Sequence, residues 1–186
     1  MNKLIRALGG FVLSLIICHA AGANAGHEWQ VSAGKVAAIA VDGRQLRIDR
    51  SLTLMLRRAE AAAFLPLEFN GSPAKSWRWL LVREPSKARG SASFCGAGYE
   101  DRLLLVEVAK STGKVVGQFL AQSCLNSISM DIDQFDELLA AIGIEEQNGR
   151  LTLEQSISSD AGSARKNVQI DVSSGRMKVF MRKVED

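Results

Sequence analysis

Acid–base and nucleophilic chemistry start from a histidine, a cysteine or a pair of carboxylates, and this sequence has few arrangements to offer. Histidine occurs only as His19 and His27. His19 falls in an N-terminal stretch read below as removed, and His27 stands at the start of what remains, where an imidazole has no fixed neighbours. A Ser-His-Asp or Cys-His arrangement needs an ordered imidazole beside its nucleophile, so neither is expected. Carboxylates are more plentiful: Asp131, Asp133, Asp136 and Glu137 cluster, and Glu145-Glu146 follow. Two of them in one cleft with separated pKa values would make a hydrolytic acid/base pair. The plainer reading is a solvated strand edge and a capped helix start.

Metal and phosphate patterns fail at identifiable positions. Asp131-x-Asp133 begins like a calcium loop, but Phe135 occupies the next ligand position and the bend lacks its glycine. Zinc lacks its ligands. Gly113-Lys114 is followed by Val115 and has Val108 where a phosphate-binding loop needs its first glycine. No catalytic, metal or cofactor residues are therefore expected.

Three features suit binding. Trp77 and Trp79 share a strand face, and two exposed rings would form a platform for sugars or for a partner's apolar side chains, although rings of this size more often belong to the core. A polar loop from Glu84 to Ser93 carries Lys87 and Arg89 directly before Cys95, which would hold its base. Asn70-Gly71-Ser72 fits a glycosylation acceptor that only a eukaryotic secretory route would use, and a plain turn is the simpler reading.

The elements that position these residues belong to an exported chain. Lys3 and Arg6, the apolar run from Ala7 to Cys18, and Ala23-Asn24-Ala25 have the order of a signal peptide spanning 1–25. The run is too short to span a bilayer, which needs about 20 residues. Cys18 follows Ile16-Ile17 rather than a small residue, so lipid attachment is not expected. Removal of 25 of the 186 residues leaves 161, with Cys95 and Cys124 as the remaining cysteines, the expected pattern for one disulfide. It also leaves 21 basic and 20 acidic residues, a net +1. That balance does not favour a nucleic acid partner.

Residues 26–186 read as a single β-rich domain. Apolar runs from Leu103 to Ala109 and from Val115 to Ala121 flank Lys110-Ser111-Thr112-Gly113-Lys114, which predicts a hairpin with Gly113 at its tip. Counting back from that tip sets Cys124 opposite Tyr99 or Glu100, so Gly96-Ala97-Gly98 must turn the chain for Cys95 to reach it. Asp42-Gly43 marks a second hairpin. Leu52, Leu54 and Leu56 alternate as in a strand, as do Trp77, Trp79 and Leu81, then Ile128, Met130 and Ile132, Val168, Ile170 and Val172, and Met177, Val179 and Met181. Phe135, Leu138, Leu139 and Ile142 follow helical spacing, with Asp133 as cap and Gly143 as stop.

The expected fold is mainly β, at the margin of α+β: an antiparallel sandwich or bent meander with one short helix near 134–142. The expected function is that of an exported, non-catalytic protein, periplasmic or secreted. It would act through a protein–protein surface on an unknown envelope or secreted partner, for instance as an inhibitor or immunity-type protein against a cell-envelope enzyme. A glycan- or peptidoglycan-binding module using the tryptophan face is the alternative, and a carboxylate-based envelope hydrolase comes third.

Overall fold

Two strands at the middle of the chain are apolar on both faces. Trp79 to Val82 and Leu103 to Val106 are buried without a break, whereas a strand with one wet face would alternate. Both sides of that sheet must therefore be covered, and the remaining elements supply the two covers. The computed structural model describes residues 28–72 (67–72 by backbone alone), 75–86, 98–145, 150–159, 162–172 and 177–184. The signal segment 1–25, His27, Pro73, Lys87, Arg89, Cys95, Gly96-Ala97, Glu146 and the Ser174-Gly175 turn lie outside them.

In chain order the elements are β1 (Trp29–Ser32), β2 (Ala38–Val41), β3 (Arg44–Gln45), β4 (Arg47–Ile48), α1 (Arg50–Arg58), β5 (Ala61–Ser72), β6 (Lys75–Pro85), β7 (Tyr99–Ala109) and β8 (Thr112–Ser123). There follow β9 (Ile128–Ser129), α2 (Phe135–Ala141), β10 (Gly143–Glu145), β11 (Arg150–Ser159), β12 (Gly162–Asp171) and β13 (Lys178–Lys183). The fold is mainly β, and its pairings are antiparallel except for the short parallel contact of β4 with β8.

The large sheet runs β13-β12-β11-β9-β8-β7-β6-β5, with β10 beside β11. The two-residue β9 joins its halves: Ile128 pairs with Ser123 of β8 and with Ile157 of β11. Trp79, Leu81, Leu103 and Leu105 from one half pack with Leu151, Leu153, Val168 and Ile170 from the other, and Leu138 and Ile142 of α2 join them. The sheet thus bends at β9 and closes on itself. Met177 Cβ lies 3.1 Å from where a side chain on Gly117 would begin, so glycine in β8 admits the approach of the C-terminal half.

The other face of β6 and β7 presents Leu80, Val82, Leu104, Val106 and Val108 to a second cluster with Ile39, Leu46, Leu52, Met55 and Leu56. This cover is α1 and the small sheet β1-β2-β3. The β2–β3 turn is Asp42-Gly43, with φ of 50° and 72°, the pair of positive values a two-residue hairpin turn requires.

Three sequence expectations are corrected. Leu52, Leu54 and Leu56 lie in α1: Leu52, Met55 and Leu56 are buried at i, i+3 and i+4 while Leu54 is exposed. Asp49 caps that helix by accepting from Leu52 N at 2.7 Å, and Arg57 and Arg58 end it. The tip of the central hairpin is Lys110-Ser111, with Lys110 at φ 56°, because Val108 pairs with Gly113 and Ala109 with Thr112. Gly113 is a strand residue packed beneath Leu46 and Ile48. Finally, α2 begins at Gln134 without a side-chain cap, and Asp133 instead offers its carbonyl to Arg83.

Candidate interaction surface

Buried charge is concentrated at the Cys124 end of β6 to β8. Arg83 and Asp101 are opposite each other in register, and their side chains pair twice, Nε to Oδ1 at 2.7 Å and Nη2 to Oδ2 at 2.9 Å. The guanidinium also lies 4.6 Å from the Tyr99 ring centre and 5.6 Å from that of Phe135. Gln122 bridges Asp101 Oδ2 to the carbonyl of Ile132 and accepts from Met130 N. Together these contacts seat the 130–135 segment against the sheet.

The opposite face of the same strands holds Glu84 and Glu100. Glu84 pairs with Arg58 at 3.0 Å and with Arg102 at 3.6 Å. Glu100 accepts from Ser123 Oγ at 2.8 Å, Ser86 Oγ at 2.9 Å and Leu125 N at 3.3 Å. Ser86 N also donates to Gly98 O, just beyond the paired ends of β6 and β7; Glu84 and Pro85, expected in a polar loop, are strand residues of β6 because they pair with Glu100 and Tyr99. Cys124 is disulfide-bonded, and its N–H donates to Tyr99 O, so it stands at the level of Tyr99. Any side chain at position 98 would begin 2.6 Å from Cys124 Cβ and Sγ, which restricts that position to glycine.

At the far end of β7, Glu107 collects Lys75 at 3.3 Å, Lys114 at 3.1 Å and Trp77 Nε1 at 3.1 Å. Burial alone would raise its pKa, but the hydrogen bonds from Lys114, Trp77 and Lys75 and the charge of Lys114 outweigh it and hold the carboxyl below its ordinary 4.5. Trp77 is half-buried and committed to this carboxylate. Trp79, on the same face, has no exposed surface, and its Nε1 has no hydrogen-bond partner among the described residues. The tryptophan pair is therefore core and core margin, and offers no two-ring platform.

The acidic group that could have done hydrolysis is dispersed on the surface. Asp131, Asp133, Asp136 and Glu137 are exposed; Asp131 accepts from Ser129 and lies near Ser156, while Asp136 and Glu137 occupy the first turn of α2. None of these four lines the groove described next; Glu145, from the pair that follows them in sequence, does line it and is held there by Arg150. Among the described residues no group of three His, Cys, Asp or Glu could hold a metal ion, and no helix is long and apolar enough to cross a membrane.

That groove, of about 430 Å³, opens on the outer face of β10 to β13. Its floor is Thr152, Asn167 and Gln169, and Phe180, Arg182 and Arg150 line it. Arg150 is fixed by Glu145 at 3.0 Å and, more loosely, by Asp171 at 4.0 Å. Phe180 and Met181 are each 50 % exposed on opposite faces of β13. Strands β12 and β13 carry Arg165, Lys166, Lys178, Arg182 and Lys183 against the single acid Asp171. Arg165 approaches Glu154 at 3.8 Å, whereas Lys166, Lys178, Arg182 and Lys183 have no ion pair among the described residues. Sequence reading followed the apolar alternation Met177, Val179, Met181 and passed over the other face; the signal there was an aromatic set between cations, Lys178-x-Phe180-x-Arg182.

Compared with known proteins, the chain matches no family model, no curated protein and no solved structure.

Proposed function

We propose that this chain is an exported, non-catalytic binding protein of the periplasm or the extracellular space, acting through a protein–protein surface on an envelope or secreted protein such as a wall-acting enzyme. The observation that carries the reading is how the polar side chains are spent. The buried carboxylates Glu84, Glu100, Asp101 and Glu107 are each engaged by cations or hydrogen-bond donors of the fold itself. A catalytic carboxyl must keep a lone pair or proton for substrate, and these are turned inward. Two of the large apolar side chains left out of the cores, Phe180 and Met181, lie on the two faces of β13 and are flanked along the strand by cations. Exposed aromatics with basic neighbours are the composition of recognition surfaces rather than of solvated ones.

A photo-cross-linking residue placed at position 180 of the full chain, incubated with envelope extract, tests this directly. A discrete adduct is expected at 180 and none at the control position 54, where Leu54 is exposed on α1. Equal labelling at both positions, or none at 180, overturns the reading.

A further inference from the structure

A sheet edge presents unpaired backbone N–H and C=O groups, and proteins blunt such edges with proline, bulges or charge. The two edges of the large sheet differ in this respect. On one side β5 contains Pro66 inside a register shift between Phe64 and Glu68. On the other, β13 pairs with β12 in unbroken register from Lys178 to Lys183 and has no outer neighbour among the described residues. Its only device is charge.

That charge selects the occupant. Self-pairing about the centre of β13 would set Lys178 against Lys183 at both ends of the contact, and like charges directly opposite are destabilising. Lys183 already faces Lys166 across the ladder, a pairing that an anion between or beside them would relieve. The chain without residues 1–25 is nearly neutral, so this basic edge is a local feature and not part of a general polyanion coat. Between the cations, Phe180 and Met181 offer apolar area on the two faces, matching a strand whose acidic ends flank apolar centre positions.

We infer that the free edge of β13 takes an acidic, extended segment of a partner protein as an added antiparallel strand, with its acids against Lys178, Arg182 and Lys183. This rests on the binding-protein reading above and names the partner's chemistry. Backbone hydrogen bonds supply affinity in this mode and the alternate side chains supply register.

The probe is the peptide Glu-Glu-Val-Phe-Val-Glu with blocked ends, followed by calorimetry or fluorescence anisotropy against the full chain. Binding is expected that is lost when alternate amides are N-methylated and weakened about tenfold or more by R182E/K183E, with R182Q/K183Q intermediate. Circular dichroism of each variant checks that these exposed positions leave the fold intact. Binding that survives N-methylation makes the site a charged groove and overturns strand addition. Equal binding of an oligothymidylate overturns the protein partner in favour of a polyanion. Self-association in sedimentation that R182E/K183E abolishes assigns the edge to a second copy and likewise overturns the inference. Failure of the peptide with a persisting adduct at position 180 overturns strand addition alone, whereas loss of the adduct removes the binding-protein reading itself.

Discussion

Replacing Arg83 by methionine removes the cation of the most deeply buried ion pair among the described residues, whose side chains are 6 % and 0 % exposed. Among the described residues Asp101 would then keep only Gln122 Nε2, at 3.3 Å, as a side-chain donor to its carboxylate. Breaking a buried pair by removing one partner typically costs about 3–5 kcal/mol, because the survivor is left as an uncompensated charge. Against a total stability of about 5–15 kcal/mol, that is a large fraction. With a urea slope of about 2 kcal/mol/M, the unfolding midpoint should fall by about 2 M. The same substitution removes the Arg83 bond to Asp133 O, so the start of α2 should loosen together with the sheet. R83M/D101L, which removes both charges and fills the space with apolar atoms, should restore most of the loss. The assay is urea unfolding followed by circular dichroism at pH 7, in low and in moderate salt; a pair this buried should be little screened. A loss below about 1 kcal/mol in R83M, or a double variant no better than the single one, would refute the assignment of this network as the clamp at the Cys124 end.

Two further substitutions read other parts of the fold. Glu107→Gln should lower stability at pH 7: the depressed folded pKa means the carboxylate stabilises above its ordinary 4.5, and that contribution is lost as pH falls through the folded value. The midpoints of wild type and variant should therefore converge in acid, and a gap that stays constant with pH contradicts the role given to Lys75, Lys114 and Trp77. Leu56→Ala should cost about 2–5 kcal/mol and Leu54→Ala under about 0.5 kcal/mol, since only the first faces the core; similar losses at both would count against α1 as a helix packed on β6.

Much of the β architecture was legible where local chemistry and tertiary demand agree. Asp42-Gly43 was readable because both residues adopt positive φ at little cost, and the hairpin of β7 and β8 because its apolar runs are long. The residues 52–56 were misread because Leu52, Leu54 and Leu56 satisfy period two while Leu52, Met55 and Leu56 satisfy period 3.6, and apolar spacing alone does not choose. The deciding signals were Asp49 three residues before Leu52 and the paired arginines at 57 and 58. The hairpin tip was misplaced because Lys110, not glycine, takes the positive φ, and Gly113 is instead a strand residue paired with Val108. Strand β5 was hidden in Ala61-Ala62-Ala63, which have no strong strand preference and extend because β6 pairs with them. The fate of Trp79 was invisible in principle: a strand face tells which residues share a side, and only the closure of the sheet tells whether that side is wet.

The same closure relocates the fold's critical joint. Sequence reasoning places the whole architecture on a Cys95–Cys124 tie, which in the chain-entropy account is worth about 3–4 kcal/mol for a loop of about thirty residues. Cys124 does stand at the corner where the sheet bends, directly after Ser123 of β8 and before the turn to β9. Yet Glu100 binds that corner from three directions, through Ser123, Ser86 and Leu125, and hydrogen bonds to a charged group are worth about 1.5–3 kcal/mol each. On β11, Gln155 adds another clasp, donating to the carbonyls of Leu120 and Ala121 in β8. The non-covalent contacts at the bend are thus comparable with the covalent one. A corner fixed by both leaves the outermost strand β13, mostly exposed while β12 still sends Val168 and Ile170 into the core, as the distal part of the sheet least committed to it, and that is where Phe180 lies with Lys178, Arg182 and Lys183, which have no ion pair among the described residues.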